Sequence, residues 1–234
     1  MTELKNYAVI LASGSGKRYG ADIPKQFIKI SGKTILEHSI EAFEKSPLID
    51  YIIVVITEQY RTLAEKIIDR NNYKKVLKII NGGQIRKDSS YNGVNAIDEK
   101  EANVLIHDCA RPFVTQKIIQ NCIEALKTYD AIGVAIPSVD TVIEVDENGI
   151  IKNIPKRTNM KCIQTPQGFK LSVIKKAHEL SKNSSDFTDD CGLVVKNKLS
   201  DVYVVEGDIK NIKITYPDDI LKIKWDFSIF QVSL

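Results

Sequence analysis

The stretch that most limits what this chain can fold into is 8–26, AVILASGSGKRYGADIPKQ. The apolar run 8–12 reads as a buried strand, and it stops abruptly at Ser13-Gly14-Ser15-Gly16. Glycines just past a strand let a ligand approach the backbone closely and offer N–H groups to phosphate oxygens. Lys17 and Arg18 follow at once, and Lys25 is held behind Pro24. Cations in that arrangement suit a polyanion such as a nucleoside triphosphate. A glycine turn beside an exposed basic patch is the plainer alternative. Two phosphate motifs are excluded. A P-loop needs Gly-Lys followed by Ser or Thr, and here Arg18 follows Gly16-Lys17. The dinucleotide fingerprint needs a third glycine three positions after the second, and Tyr19 stands there.

The 234 residues are 43% hydrophobic, enough for one α/β domain over 1–234. A net charge of +3 is too balanced to argue for nucleic acid. Cys109, Cys122, Cys162 and Cys191 are far apart, which predicts neither a zinc site nor a disulfide framework and makes a cytoplasmic setting the default. The N-terminal apolar run is too short for a signal peptide, and no run reaches the ~20 residues of a membrane span.

Strand and helix patterns alternate along the chain, which predicts a mostly parallel, Rossmann-like α/β sheet with helices on both faces. Strands are expected at 7–12, 51–56, 76–80, 104–106, 131–136 and 202–206. Thr34 can cap a helix that carries Ile35, Leu36, Ile40 and Phe43 on one side. Helices are expected at 58–69, 115–127 and 171–181. Asn81-Gly82-Gly83 breaks the chain before Arg86, and Ser89 or Ser90 can cap a helix running to 97. That helix start is either a base- or anion-binding corner or an ordinary connection.

His107-Asp108-Cys109-Ala110-Arg111-Pro112 lies at the end of an interior strand, where α/β enzymes place chemistry. Asp108 suits a magnesium ion or a ribose, and Arg111 a phosphate; a structural Asp–Arg pair is the alternative. After Pro137 the alternation changes to a β-hairpin at 141–154, turning at Asp146-Glu147-Asn148-Gly149. It reads as a projecting arm, about 138–156, that packs on a second subunit or folds back on its own domain. Thr188 reads as a helix N-cap with Asp189 and Asp190 in the first turn. The alternating stretch 211–215 sets Lys213 opposite Ile212 and Ile214, pointing to a site or to solvent.

These blocks, in this order, resemble the cytidylyltransferases that act on methylerythritol 4-phosphate and ribitol 5-phosphate. They are the glycine loop with Arg18 and PKQ at 24–26, GGxxRxDS at 82–89, HDxARPF at 107–113, the Asp140-Thr141 pair, QTPQxF at 164–169, and NIKIT with YPDD at 211–219. The resemblance implies CMP transfer from CTP to a small polyol phosphate with release of pyrophosphate and with Mg²⁺. It implies that Ala12, Ser13, Gly14, Gly16, Lys17 and Arg18 hold the triphosphate, and that Lys25 and Lys213 flank the α-phosphate. Gly83, Arg86 and Ser89 would meet the nucleotide, and Asp108 the ribose and the metal. Arg111, Thr165 and Thr188 would serve the polyol. The arm would make a homodimer, so that Asp140, Thr141 and Arg157 serve the neighbouring subunit's acceptor phosphate. No membrane or nucleic-acid partner is expected.

The chain departs from the family pattern in places. Cys109 stands where a small residue is usual, and Tyr19 where Met is usual. Thr158-Asn159-Met160 replaces the Leu-Trp pair that follows the arm arginine in the methylerythritol branch. That stretch and 114–119 look more like the ribitol branch, whereas Asp88-Ser89 and Thr188-Asp189-Asp190 look more like the methylerythritol branch. The reading leans to an alditol phosphate, ribitol 5-phosphate giving CDP-ribitol, with methylerythritol 4-phosphate as one alternative and a non-catalytic nucleotide-binding regulatory protein on the same fold as another.

Overall fold

The β-branched runs of this chain assemble into a single central sheet, as the computed structural model shows for residues 4–14, 23–184 and 187–220. In chain order, β1 (Asn6–Leu11) leads to a small hairpin of β2 (Lys29–Ile30) and β3 (Lys33–Thr34), then α1 (Ile35–Glu44) and β4 (Tyr51–Ile56). Next come α2 (Arg61–Asn71), β5 (Val76–Asn81), α3 (Arg86–Asn95), β6 (Asn103–Asp108), α4 (Gln116–Ala125) and β7 (Ala131–Pro137). The arm holds β8 (Glu144–Val145) and β9 (Ile151–Asn153). The chain then returns through β10 (Lys161–Lys170), α5 (Leu171–Leu180), α6 (Asp190–Lys196) and β11 (Val202–Glu206).

The seven-stranded sheet has the order β11-β7-β10-β6-β1-β4-β5. Its pairings are parallel except those of β10, which runs antiparallel to both β6 and β7. Alternation along each strand divides the core in two. Ala8 and Ile10 of β1, with Ile52, Val54 and Ile56 of β4, pack with the apolar faces of α1, α2 and α4. Tyr7, Val9 and Leu11, with Ile53 and Val55, pack with α3, α5 and α6. Both faces of the central strands are therefore covered, which is why those strands read as unbroken apolar runs. Among the described residues no helix is long and apolar enough to cross a membrane.

The expected cap of α1 is present as a reciprocal box. Glu37 N–H donates to Thr34 Oγ1 at 3.1 Å, and Thr34 N–H donates to Glu37 Oε2 at 2.7 Å. Arg70 and Asn71 donate to the other oxygen of Glu37. Burial opposes the charge on Glu37, yet these bonds prevail and hold its carboxyl down at about 2.

Two local expectations are corrected, and two segments take forms that the sequence left open. First, α3 starts at Arg86, ahead of Ser89 and Ser90, and its start is closed by Ile85 N–H donating to Asp88 Oδ2 at 3.4 Å. Both serines lie inside the helix and are buried. Second, the cap of α6 is Asp189, whose Oδ1 accepts from Gly192 N–H at 2.9 Å; Thr188 is exposed beside it. Third, 211–215 forms no strand: Ile214 N–H donates to Ala110 O at 2.8 Å, which seats the segment against the turn after β6. The alternation still sorts its side chains, with Ile214 in the core and Lys213 on the other side. Fourth, QTPQGF lies within β10, a strand the sequence hides. Pro166 in its interior argues against a central strand, and a register shift between Ile163 and Gln167 accommodates it.

Candidate active site

Parallel register puts Leu11 of β1 beside Asp108 of β6, so the turn after β1 and the turn after β6 open on the same edge. This is the carboxyl edge of the sheet, where such folds bind ligands. A cavity of about 320 Å³ lies there. Ala12, Ser13, Gly14, Lys25, Gly83, Arg86, Ser89, Asp108 and Lys213 all line it. Gly16, Lys17 and Arg18 fall outside the described residues.

The glycine turn and the start of α3 are tied together by side chains. Ser13 Oγ donates to Ser89 Oγ at 2.8 Å, and Gly83 N–H donates to the same oxygen at 3.1 Å. The approach is close enough that a Cβ on Gly82 would collide with Ser13, and one on Gly83 with Asp88. Glycine is required at these two positions for contact, and the φ values are unremarkable. Lys25 Nζ donates to Ile214 O at 3.0 Å, which brings it next to the segment that carries Lys213.

Asp108 is the electrostatic centre. Arg86 Nε donates to its Oδ1 at 2.9 Å and Lys213 Nζ to its Oδ2 at 2.6 Å. Burial alone would raise its carboxyl, but the two cations dominate and hold it well below the usual carboxylate range. Its backbone N–H donates to Thr165 Oγ1 at 3.0 Å, and that hydroxyl also meets His107 Nδ1 at 3.1 Å. Thr165 is thus a buried support under Asp108, and no cavity-lining group. His107 is fully buried, and that burial pushes its imidazole down to about 4. Neutral and outside the cavity lining, it packs beside Phe43 as a support of the site. Cys109 lines the floor of the cavity with its thiol pushed up to about 12 by burial, so it is an inert wall and no nucleophile.

Arg111 does not reach the cavity. Its Nη1 donates to Asn211 O at 2.7 Å and Nη2 to Ile163 O at 3.3 Å, which ties the turn after β6 to the returning chain. Neither the phosphate role expected of Arg111 nor the alternative Asp108–Arg111 pair is seen here, and Asp108 pairs with Arg86 instead. Asp140, Thr141, Arg157 and Thr188 are exposed, and none lines the cavity. Arg157 Nη1 donates to Val139 O at 3.4 Å, within the arm. Among the described residues no three His, Cys, Asp or Glu side chains gather as a metal cage. Asp108 is a lone carboxylate whose oxygens keep unused lone pairs, which fits an ion otherwise ligated by substrate phosphates.

Sequence reasoning missed Asp190. Its side chain is buried, and it accepts from Arg86 Nη1 at 2.7 Å and from Ser90 Oγ at 2.5 Å. The signal was a charged residue at a helix start next to a second acid that already supplies the cap.

Comparison with known proteins shows the family. The model of the IspD family, described as 2-C-methyl-D-erythritol 4-phosphate cytidylyltransferase, matches residues 7–225. The 2-C-methyl-D-erythritol 4-phosphate cytidylyltransferase of Clostridium botulinum (strain 657 / Type Ba4) is 41% identical over 218 residues, covering 93% of this chain and 95% of that one. The bifunctional ribulose 5-phosphate reductase/CDP-ribitol pyrophosphorylase Bcs1 of Haemophilus influenzae is 41% identical over 226 residues, covering 94% of this chain but 48% of that one. The crystal structure of 4-diphosphocytidyl-2C-methyl-D-erythritol synthase from Anaerococcus prevotii superimposes with a TM-score of 0.87 at 29% identity, covering 96% of each chain. The chain belongs to the IspD family of polyol-phosphate cytidylyltransferases, nucleotidyltransferases that use CTP.

Proposed function

We propose that this chain transfers CMP from CTP to 2-C-methyl-D-erythritol 4-phosphate. An oxygen of the acceptor phosphate attacks the α-phosphorus, the bond to the β-phosphate breaks, and pyrophosphate leaves. The observation that carries this reading is the convergence of Lys25, Lys213, Arg86 and Asp108 on one cavity beside the glycine turn. The attacking oxygen is already anionic, so no general base is needed. That agrees with a site whose histidine is neutral and outside the cavity lining and whose cysteine is protonated. Catalysis then rests on cations set where charge gathers in the transition state. Lys25 and Lys213 serve the α-phosphate, with Arg18 on the β- and γ-phosphates. Lys213 exchanges its Asp108 partner for the nucleotide. Asp108 is the residue that would hold a magnesium ion together with the substrate, and the ion would supply charge neutralisation at the phosphates.

The acceptor departs from the alditol lean of the sequence. That lean rested on a few residues around Arg157, whereas the family model and the Clostridium botulinum relative carry the methylerythritol name over nearly the whole chain. A second reading, ribitol 5-phosphate, is kept for two specific observations: polar Thr158 and Asn159 after Arg157, and the 41% identity to the Haemophilus influenzae pyrophosphorylase. Asp140, Thr141 and Arg157 serve the acceptor phosphate across a homodimer made by the arm, in a cytoplasmic enzyme. The exposure of these residues away from their own cavity supports that arrangement. The test is pyrophosphate release at fixed CTP with each acceptor. The reading expects kcat/KM to favour the methylerythritol phosphate by about tenfold or more, near what one methyl pocket can deliver. The reverse preference overturns the acceptor and leaves cytidylyl transfer standing.

A further inference from the structure

The cavity is one end of a buried polar chain that continues away from it. Lys213 donates to Asp108, Arg86 bridges Asp108 and Asp190, and Ser90 donates to the second oxygen of Asp190 at 2.5 Å. His178 Nε2 closes the far end, 3.2 Å from Ser90 Oγ. Asp190 is held from its backbone too, since its N–H and that of Cys191 both donate to Gln167 Oε1, at 2.9 and 3.1 Å. Charges alternate along this chain: cation, anion, cation, anion. The Arg86 side chain is partly accessible from the cavity, while that of Asp190 is 1% exposed.

We propose that Asp190, fixed by Ser90, is a positioning residue for the transfer reaction. It holds Arg86 so that only one edge of the guanidinium reaches Asp108. Arg86 Nη2 has no partner among the described residues, so the guanidinium has spare donors with which to take both oxygens of Asp108. Anchored at Nη1 by Asp190, it engages only Oδ1, and Oδ2 remains for Lys213. Without the anchor Arg86 is free to claim the whole carboxylate or to swing into the cavity toward the triphosphate. The first movement takes from Lys213 the Asp108 contact that holds it at the cavity before the nucleotide arrives, and the second sets a competing cation at the phosphates that Lys213 serves. This inference rests on the proposed reading that Lys213 acts at the α-phosphate.

The test is steady-state pyrophosphate release from CTP, with methylerythritol phosphate and ribitol phosphate each tried as acceptor. It compares Asp190→Asn, Ser90→Ala, Arg86→Lys, the double variant Asp190→Asn/Arg86→Lys, and Lys213→Ala. Asp190→Asn is expected to lower kcat by about 10–100-fold, the usual cost of losing an outer support of a site. The KM for CTP should change by less than about threefold, and Ser90→Ala should move kcat in the same direction by a smaller factor. Because Asp190 acts through Arg86, the double variant should be no worse than the poorer single variant. Wild-type kcat in Asp190→Asn, or losses that multiply in the double variant, overturns the proposal. If Asp190→Asn does not fold, Ser90→Ala decides, and an unchanged kcat there overturns it as well. Loss of turnover in Lys213→Ala with none in Asp190→Asn sinks this proposal alone. Wild-type turnover in Lys213→Ala sinks the parent reading and this one together.

Discussion

The cavity and the arm are built on opposite principles. At the cavity, charged groups are packed against one another under a covered sheet, and each position is fixed by several bonds: Asp108 by Arg86, Lys213 and Thr165. In the arm, β8 and β9 pair over only a few residues, and Val145, Ile150, Ile151 and Ile154 are all more than half exposed. An isolated two-stranded hairpin is marginal in water, and apolar exposure of this kind marks an interaction surface. The contrast teaches that one chain gathers Lys25, Arg86, Asp108 and Lys213 at one cavity but leaves the acceptor-side candidates Asp140, Thr141 and Arg157 outside it.

The largest effect that sharpens the contrast is on the cavity side. Lys25→Ala and Lys213→Ala should each lower kcat by ~100–1,000-fold, from ~3–4 kcal/mol of lost transition-state stabilisation, with the fold intact by circular dichroism. Equal activity at saturating CTP removes the residue from the mechanism. The arm side is probed by mixing. Chains carrying Arg157→Ala and chains carrying Lys25→Ala are each expected to be nearly inactive alone. Verified mixed dimers should regain about one competent site in two, since a two-fold pair offers one intact combination. No recovery places the arm's action within its own subunit.

Stability should divide along the same line. Phe43→Ala, at a fully buried side chain, is expected to cost ~3–5 kcal/mol in denaturant unfolding. Ile151→Ala, 53% exposed, should cost under ~0.5 kcal/mol in the monomer while weakening self-association. Comparable losses at both positions would erase the distinction. The acid limb should belong to the core as well. His107 is held near 4 by burial, so between its unfolded value near 6.5 and about 4 the unfolded state binds a proton the folded state refuses. Stability therefore falls as pH drops through that window, by roughly 3 kcal/mol from this group. Glu37, held at about 2, contributes stability above its unfolded value of 4.5 that is lost below it. His107→Asn should flatten the upper part of the curve, and an unchanged slope would show that His107 does not set it.

The fold was legible where a single physical cause acts. The run 51–56 is apolar throughout because both faces of β4 are covered, and its limits agree with the strand. Thr34 announces α1 because an orphan helix N–H needs an acceptor. The strand β10 was hidden because Pro166 and the buried polar residues Gln164, Thr165 and Gln167 carry a loop's signature. They serve the site instead: Thr165 supports Asp108, and Gln167 supports Asp190. The same holds for charges. Lys25 and Lys213 were legible as cations beside a glycine turn and a strand-like alternation. The Arg86–Asp190 contact joins residues 104 positions apart, and no local pattern encodes it. Arg111 read as a phosphate ligand because it follows an acid at a strand end, yet it spends its donors on backbone carbonyls.

The most direct measurement is pyrophosphate release by the intact chain with CTP, UTP, ATP and GTP in turn, each with magnesium and with either polyol phosphate. The account predicts acceptor-dependent release with CTP and at least ~100-fold less with the purine nucleotides, since the family to which the chain belongs uses CTP and a site built to hydrogen-bond one base rejects another by such a factor. Binding of CTP without pyrophosphate release from any polyol phosphate would contradict it.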